Sequence, residues 1–152
     1  LLLTQEPRQP RSWLIFDVSR KTMADEIHHL VWDVKPAKWA VKKRFVGCWR
    51  ITELQGYDSD YVELCGPAKL KITTRGWGCV NFGAIEAEID CKTDDLDDRV
   101  LRFSFEGGDE GDSICGRGYC VVDGDQMTGR FFRHLGDEFG FKASRLAKEN
   151  SG

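Results

Sequence analysis

The stretch AIEAEIDC, residues 84–91, alternates without a break, with Ile85, Ala87, Ile89 and Cys91 on one side and Glu86, Glu88 and Asp90 on the other. Successive side chains of an extended chain point to opposite faces, so a period of two specifies a strand with a core on one face and water on the other. RVLRFSFE repeats the pattern, setting Leu101, Phe103 and Phe105 against Arg102 and Ser104, and CGRGYCVV, QMTGRFFRH and EFGFKASR continue it. Clusters rich in turn formers separate these runs at short spacing: QGYDSD, CGP, RGWG, TDDLDD, VDGDQ and LGDE. Asp123-Gly124 reads as the centre of a two-residue type I′ hairpin, which needs positive φ at both positions. The pattern predicts an all-β antiparallel meander.

A meander of many short strands must protect its edges, and closing the sheet on itself removes them. The predicted fold is an eight-stranded antiparallel up-and-down β-barrel. Eight strands result if GCVNFGAIEAEIDC is one long strand bent at Gly83, and nine if Gly83 is a hairpin. A chain of 152 residues suits one domain with one core. The expected division is a leader over 1–34, extended or partly disordered, a barrel with a leading helix over 35–146, and a tail over 147–152. Within the domain, KPAKWAVKKRF predicts a short helix from Pro36 to the stop at Gly47, since Pro suits a first turn and Ala and Lys are good helix formers.

Charge is divided unevenly along the chain. Residues 1–50 hold ten Lys/Arg against five Asp/Glu, and residues 51–152 hold twelve against twenty. The basic cluster Lys35, Lys38, Lys42, Lys43 and Arg44 around Trp39 has no nucleic-acid-binding motif behind it, so it reads as a solvated face or an attachment to the acidic body. The opening LLLTQEPRQPRSWLIFDVSRK interrupts every apolar stretch with charge before a signal-peptide core can form, and the first methionine is Met23. No run approaches the length a membrane span needs. A cytoplasmic protein without membrane association is expected, with no function assigned to the leader or to His28 and His29. The six cysteines, Cys48, Cys65, Cys79, Cys91, Cys115 and Cys120, show no C-x-x-C and no zinc spacing, and are expected to be reduced and to act as small buried hydrophobes.

Gly47 and Trp49 in GCW on the first strand, the helix expected before them and Arg145 at the end of the last strand together resemble the signature of the calycin superfamily of lipocalins, fatty-acid-binding proteins and avidins. That resemblance covers residues 36–146 and implies that Trp49 packs at the closed base of the barrel with the Arg145 guanidinium over its ring. It also implies small-ligand binding at the opposite, open end. The body is similar as well to a group of small uncharacterised bacterial proteins sharing the phrases WRITE, FGA, GRG and GFKA, which carry no activity with them.

With eight strands the loops 55–60, 75–77, 106–114 and 135–138 share the open end, and 66–67, 92–98 and 123–126 share the helix end. The mouth then gathers Asp58, Trp77, Glu106, Asp109, Glu110 and Asp137, with Arg117 and His134 nearby. FEGGDEGDSICGRG, residues 105–118, becomes its rim. Carboxylates could hold a hard cation, but the spacing does not match a calcium loop, so no metal and no cofactor are expected. Crowded carboxylates beside His134 or Arg117 could do acid–base work, yet nothing fixes a nucleophile. A solvated hairpin is the plain alternative for the loop. Arg117, sharing a strand face with Tyr119 and Val121, is the arginine expected to point inward, where it needs an anion such as Glu106 or a ligand carboxylate. The sequence is therefore read as a small-ligand-binding module with an acidic rim, taking a small or cationic ligand. Two alternatives stand beside it: an enzyme using rim carboxylates and His134, and an interaction protein with a filled barrel.

Overall fold

The computed structural model describes residues 41–148. Eight antiparallel strands, β1 (Gly47–Leu54), β2 (Lys69–Ile72), β3 (Trp77–Phe82), β4 (Ile85–Thr93), β5 (Val100–Asp109), β6 (Asp112–Asp123), β7 (Gln126–Arg133) and β8 (Glu138–Arg145), close into a barrel. Each strand pairs with its neighbours in sequence, and β8 returns to β1. One short helix, α1 (Ser59–Val62), lies in the β1–β2 connection. Among the described residues no helix is long and apolar enough to cross a membrane. The leader, residues 36–40 of the expected helix and the end of the tail lie outside the described residues.

The alternating stretches occupy the faces their pattern requires. Ile85, Ala87, Ile89 and Cys91 are buried while Glu86, Glu88 and Asp90 are exposed, and Leu101, Phe103 and Phe105 are buried in turn. Phe131 stands at the centre of the interior, its ring centroid 4.7–5.8 Å from those of Phe82, Phe103, Phe105, Phe139 and Phe141. So many rings fit into short strands because glycines face three of them across the sheet: Gly116 opposite Phe105, Gly118 opposite Phe103 and Gly129 opposite Phe141. A Cβ on any of these would sit 2.3–2.5 Å from the facing ring, so each glycine is a slot into which that ring is laid. The interior is filled.

The strand count of eight arises differently from the expected one. Residues 61–65 do not form a strand, because the Asp58 carboxylate accepts from the Tyr61 N–H (2.8 Å) and caps α1 there instead. Gly83 is not a kink. Phe82 pairs with Ile85, and Gly83 at φ +55° is the first central residue of a tight hairpin, where glycine takes a positive φ at least cost and a Cβ would stand 2.7 Å from the Tyr61 ring. One strand is lost and one gained, so only the loops between the two changes move to other ends. Loop 66–67 joins the α1 end, and 75–77 goes to the base with 94–99 and 124–125. At VDGDQ the hairpin is one residue later than expected. Asp123 pairs with Gln126, Gly124 has φ +59°, and Asp125 is not left-handed, which is the type II′ pattern rather than I′.

At the base, Val41–Val46 forms a turn and not the end of a helix, with Phe45 and Val46 N–H groups donating three residues back to Lys42 and Lys43 carbonyls (3.0 and 3.2 Å). The turn is imposed from below. Phe45 is fully buried, and its carbonyl accepts from Trp49 Nε1 (2.9 Å). Trp49 is itself fully buried, and the Arg145 guanidinium lies 4.1 Å from its ring centroid. Lys42 and Arg44 each reach Asp98 (3.7 Å), so the described part of the basic segment is attached to the acidic body.

All six cysteines are unpaired, but only Cys91 and Cys120 are buried. Cys48, Cys79 and Cys115 have outward strand parity and Cys65 follows α1, so the expectation of six buried hydrophobes fails for four of them. Burial, and then the charge of Asp90, pushes the Cys91 thiol up to about 12, and burial with the neighbouring Cys91 raises Cys120 further. The thiolate is the nucleophile, and a thiol titrating at about 12 is roughly one part in ten thousand ionised at pH 8. A thiol-exchange reagent should therefore titrate four cysteines rapidly in native protein at pH 8 and all six after denaturation, without reductant. Rapid native reaction of all six would contradict the filled interior.

Candidate functional site

The α1 end of the barrel is its mouth, and the chain closes it with side chains. Tyr57 and Tyr61 stack with centroids 5.2 Å apart, and Tyr57 meets Phe139 edge-on at 5.4 Å. The Gly83 N–H donates to the Val62 carbonyl (2.8 Å), tying α1 to the β3–β4 hairpin. Beneath the tyrosines remains a cavity of about 30 Å³, room for about one water. Partial burial first, then the charges of Asp109, Tyr57 and Glu110, raise the Tyr61 phenol above its ordinary range, while Arg133 opposes them.

The expected rim residues separate on inspection of their partners. Asp58 caps α1. Asp109 shares inward parity with Phe103 and Phe105 and accepts from Arg133 Nη1 (3.1 Å). Glu110 sits at the tip of the β5–β6 hairpin with φ +52°, and Asp137 lines the mouth while its carbonyl accepts from the Arg133 N–H (2.9 Å). The inward arginine is therefore Arg133 and not Arg117, and its anion is Asp109 and not Glu106. Arg117, Tyr119 and Val121 point outward because Gly116, Gly118 and Cys120 take the inner positions of β6, and Arg117 lies 5.2 Å over the Phe132 ring. Arg133, Tyr57 and Tyr61 were the mouth residues missed by the sequence reading, although Arg133 shares the parity of Met127, Gly129 and Phe131, which marks it as inward.

Trp77, placed at the mouth by the sequence, lies on the opposite half of β3 and on the outer wall. It is 57% exposed, which among the large apolar residues described is surpassed only by Leu64, Leu96 and Leu135, all in connections rather than strands. Glu106 belongs to the outer face of β5, opposite Glu88 on β4 and Cys115 on β6. Four of the eight expected ligand residues thus meet outside the barrel. A groove of about 600 Å³ crosses β3–β6 and is lined by Trp77, Glu106, Arg117 and His134 together with Asp90 and Ser104. A neighbouring groove of about 550 Å³ continues past Glu86 and Gly107, and both share Glu88 and Glu106.

The backbone N–H of His134 donates to the Cys115 carbonyl (2.8 Å), which fixes its position at the edge of the groove. No hydrogen bond joins its ring to a carboxylate among the described residues, so the orienting partner that a general base uses is not provided. No group of three His, Cys, Asp or Glu among the described residues is arranged to hold a metal ion.

Fold and site together define a closed up-and-down β-barrel with a packed interior and its concave surfaces on the outer wall. No protein-family model matches the chain, and no curated protein matches it in sequence.

Proposed function

We propose that this chain is a calycin-like binding module that takes its ligands on the outer β3–β6 wall and not inside the barrel. One observation carries the reading: six phenylalanine rings leave about 30 Å³ at the mouth, against about 600 Å³ in the groove beside Trp77. Small-molecule sites ordinarily offer ~300–1,000 Å³, so the outer groove has the capacity that the interior lacks. The Arg145–Trp49 contact at the base supports the calycin-like assignment, since it is the arrangement the resemblance implies. Free thiols, four of them exposed, suit a reducing compartment such as the cytoplasm.

The acidic rim gives way to this reading because two of its carboxylates are already engaged. Asp58 caps a helix and Asp109 holds Arg133, so neither carboxylate is left free to select a ligand. Two titrations of the full chain, followed by backbone amide NMR, test the proposal. A fluorescent long-chain fatty acid should show no saturable one-to-one binding. A panel of indole, guanidinium and carboxylate fragments should shift amides around Trp77, Ser104, Arg117 and His134. Saturable fatty-acid binding, or fragment shifts confined to Tyr57, Tyr61 and Asp137, would overturn it.

A further inference from the structure

Along the outer face of β4, Glu86, Glu88 and Asp90 recur at every second residue, and Glu106 of β5 lies directly opposite Glu88. Like charges opposite one another across strands destabilise a sheet. Several carboxylates elsewhere on this barrel are neutralised by neighbours, Asp94 by Arg102, Asp95 by Lys92, Asp109 by Arg133 and Glu53 by Lys142, while Asp60, Glu110 and Asp137, which are not among the described residues' ion pairs, lie in connections rather than along a strand face. Among the described residues these four carboxylates take part in no ion pair. Lys92, the next outward residue on β4, and Arg102, beyond Ser104 on β5, pair instead with Asp95 and Asp94. The wall is also open beside Glu86, because Gly108, the residue opposite it on β5, adds no side chain to the outer face. At its lower end Trp77 pairs with Asp90 and leaves more than half its surface to solvent.

Resting on the outer-wall reading, we infer that this sheet face, unpartnered among the described residues, docks an extended, arginine-containing segment of a partner protein, with the guanidinium groups on Glu86, Glu88, Asp90 and Glu106 and one of them stacked on Trp77. Charge complementarity selects a cationic occupant. Spacing selects an extended one: carboxylates two residues apart on β4 recur at roughly 6.8 Å, the pitch at which alternate side chains of another extended chain project. The exposed indole selects arginine over lysine, because a planar guanidinium both stacks on an aromatic face and forks onto a carboxylate.

The probe is a labelled octapeptide alternating Arg and Thr, titrated into the full chain by fluorescence anisotropy at low and near-physiological salt. Octapeptides alternating Lys with Thr and Glu with Thr serve as controls. Saturable binding is expected for the Arg peptide, several-fold weaker for the Lys peptide and none for the Glu peptide, with salt weakening it throughout. Glu88→Gln with Glu106→Gln should lower affinity about tenfold or more. Trp77→Ala should reduce Arg-peptide binding and leave Lys-peptide binding nearly unchanged. The double Gln variant removes a like-charge pair, so it should melt at or above the parent, separating lost binding from lost folding. No saturable binding, binding indifferent to these variants, or full competition by spermine at matched charge would overturn the inference. If the fragments of the preceding test map to this wall while the peptide does not bind, the peptide assignment falls and the outer-wall reading stands. If the fragments miss the wall too, both fall.

Discussion

Phe131→Ala is expected to destabilise the barrel by about 3–5 kcal/mol, the range for deleting a fully packed aromatic ring from a core. The upper part of that range follows from what surrounds the ring. Five other phenylalanines have centroids within 5.8 Å of it, and tilted or edge-on aromatic pairs contribute beyond their buried area. Its cross-strand neighbour on β6 is Gly118, which has no side chain to move into the space, so the cavity stays open. Domains of this size are stable by about 5–15 kcal/mol, so the substitution removes a large share of the total. Denaturant unfolding should show the midpoint falling with an unchanged slope. The variant, and not the parent, should bind a small apolar probe such as benzene in the vacated site. A loss below about 1 kcal/mol would mean that the interior is loosely packed, and the case for outer-wall binding would weaken with it.

Strand periodicity made the barrel legible, since a side-chain period of two survives in any sheet with one wet face. The connections were less legible because their determinants are single contacts. YVELC carries strand-like residues, and only the Asp58 carboxylate on the Tyr61 N–H tips the segment into α1. Gly83-Ala84 lacks the Asn-Gly or Asp-Gly pair that announces a type I′ turn, because its hairpin needs positive φ at the first position alone. These two readings erred in opposite directions, so the barrel end carrying Asp109, Glu110 and Asp137 was placed correctly while Trp77 was not. The face of β6 was misread for a different reason. Glycine carries no weight in a hydropathy pattern, so Gly116 and Gly118 looked neutral beside Arg117, Tyr119 and Val121. Inside a small barrel they are the positions that receive the Phe105 and Phe103 rings, and parity follows the rings. The acidic strip on β4 was visible in the first eight residues considered, but its opposition to Glu106 depends on register, which only the pairing of β4 with β5 supplies.

Arg145→Ala should cost about 2–4 kcal/mol, more than a cation–π contact alone, because the guanidinium joins four groups at the base of the barrel. It lies over Trp49 at 4.1 Å, donates to the Val46 carbonyl at 2.8 Å and the Arg44 carbonyl at 2.6 Å, and pairs with Asp125 at 3.0 Å. Trp49 and Arg145 are also partners in the β1–β8 register, so the contact closes the barrel where its last strand meets its first. Gly47 is part of the same arrangement. Its φ of +132° disfavours any side chain, and a Cβ there would stand 3.2 Å from Arg145 Nη1. Arg145→Lys should recover only a minor part of the loss, since one ammonium on a flexible stem cannot cover the ring and reach both carbonyls and Asp125 together. A double-mutant cycle with Trp49→Phe should show a coupling of about 1 kcal/mol or more between ring and guanidinium. Stability of Arg145→Ala within about 0.5 kcal/mol of the parent would mean that the carbonyls and the ring are served as well by water, and the base contact would then lose its place as the feature that fixes barrel closure.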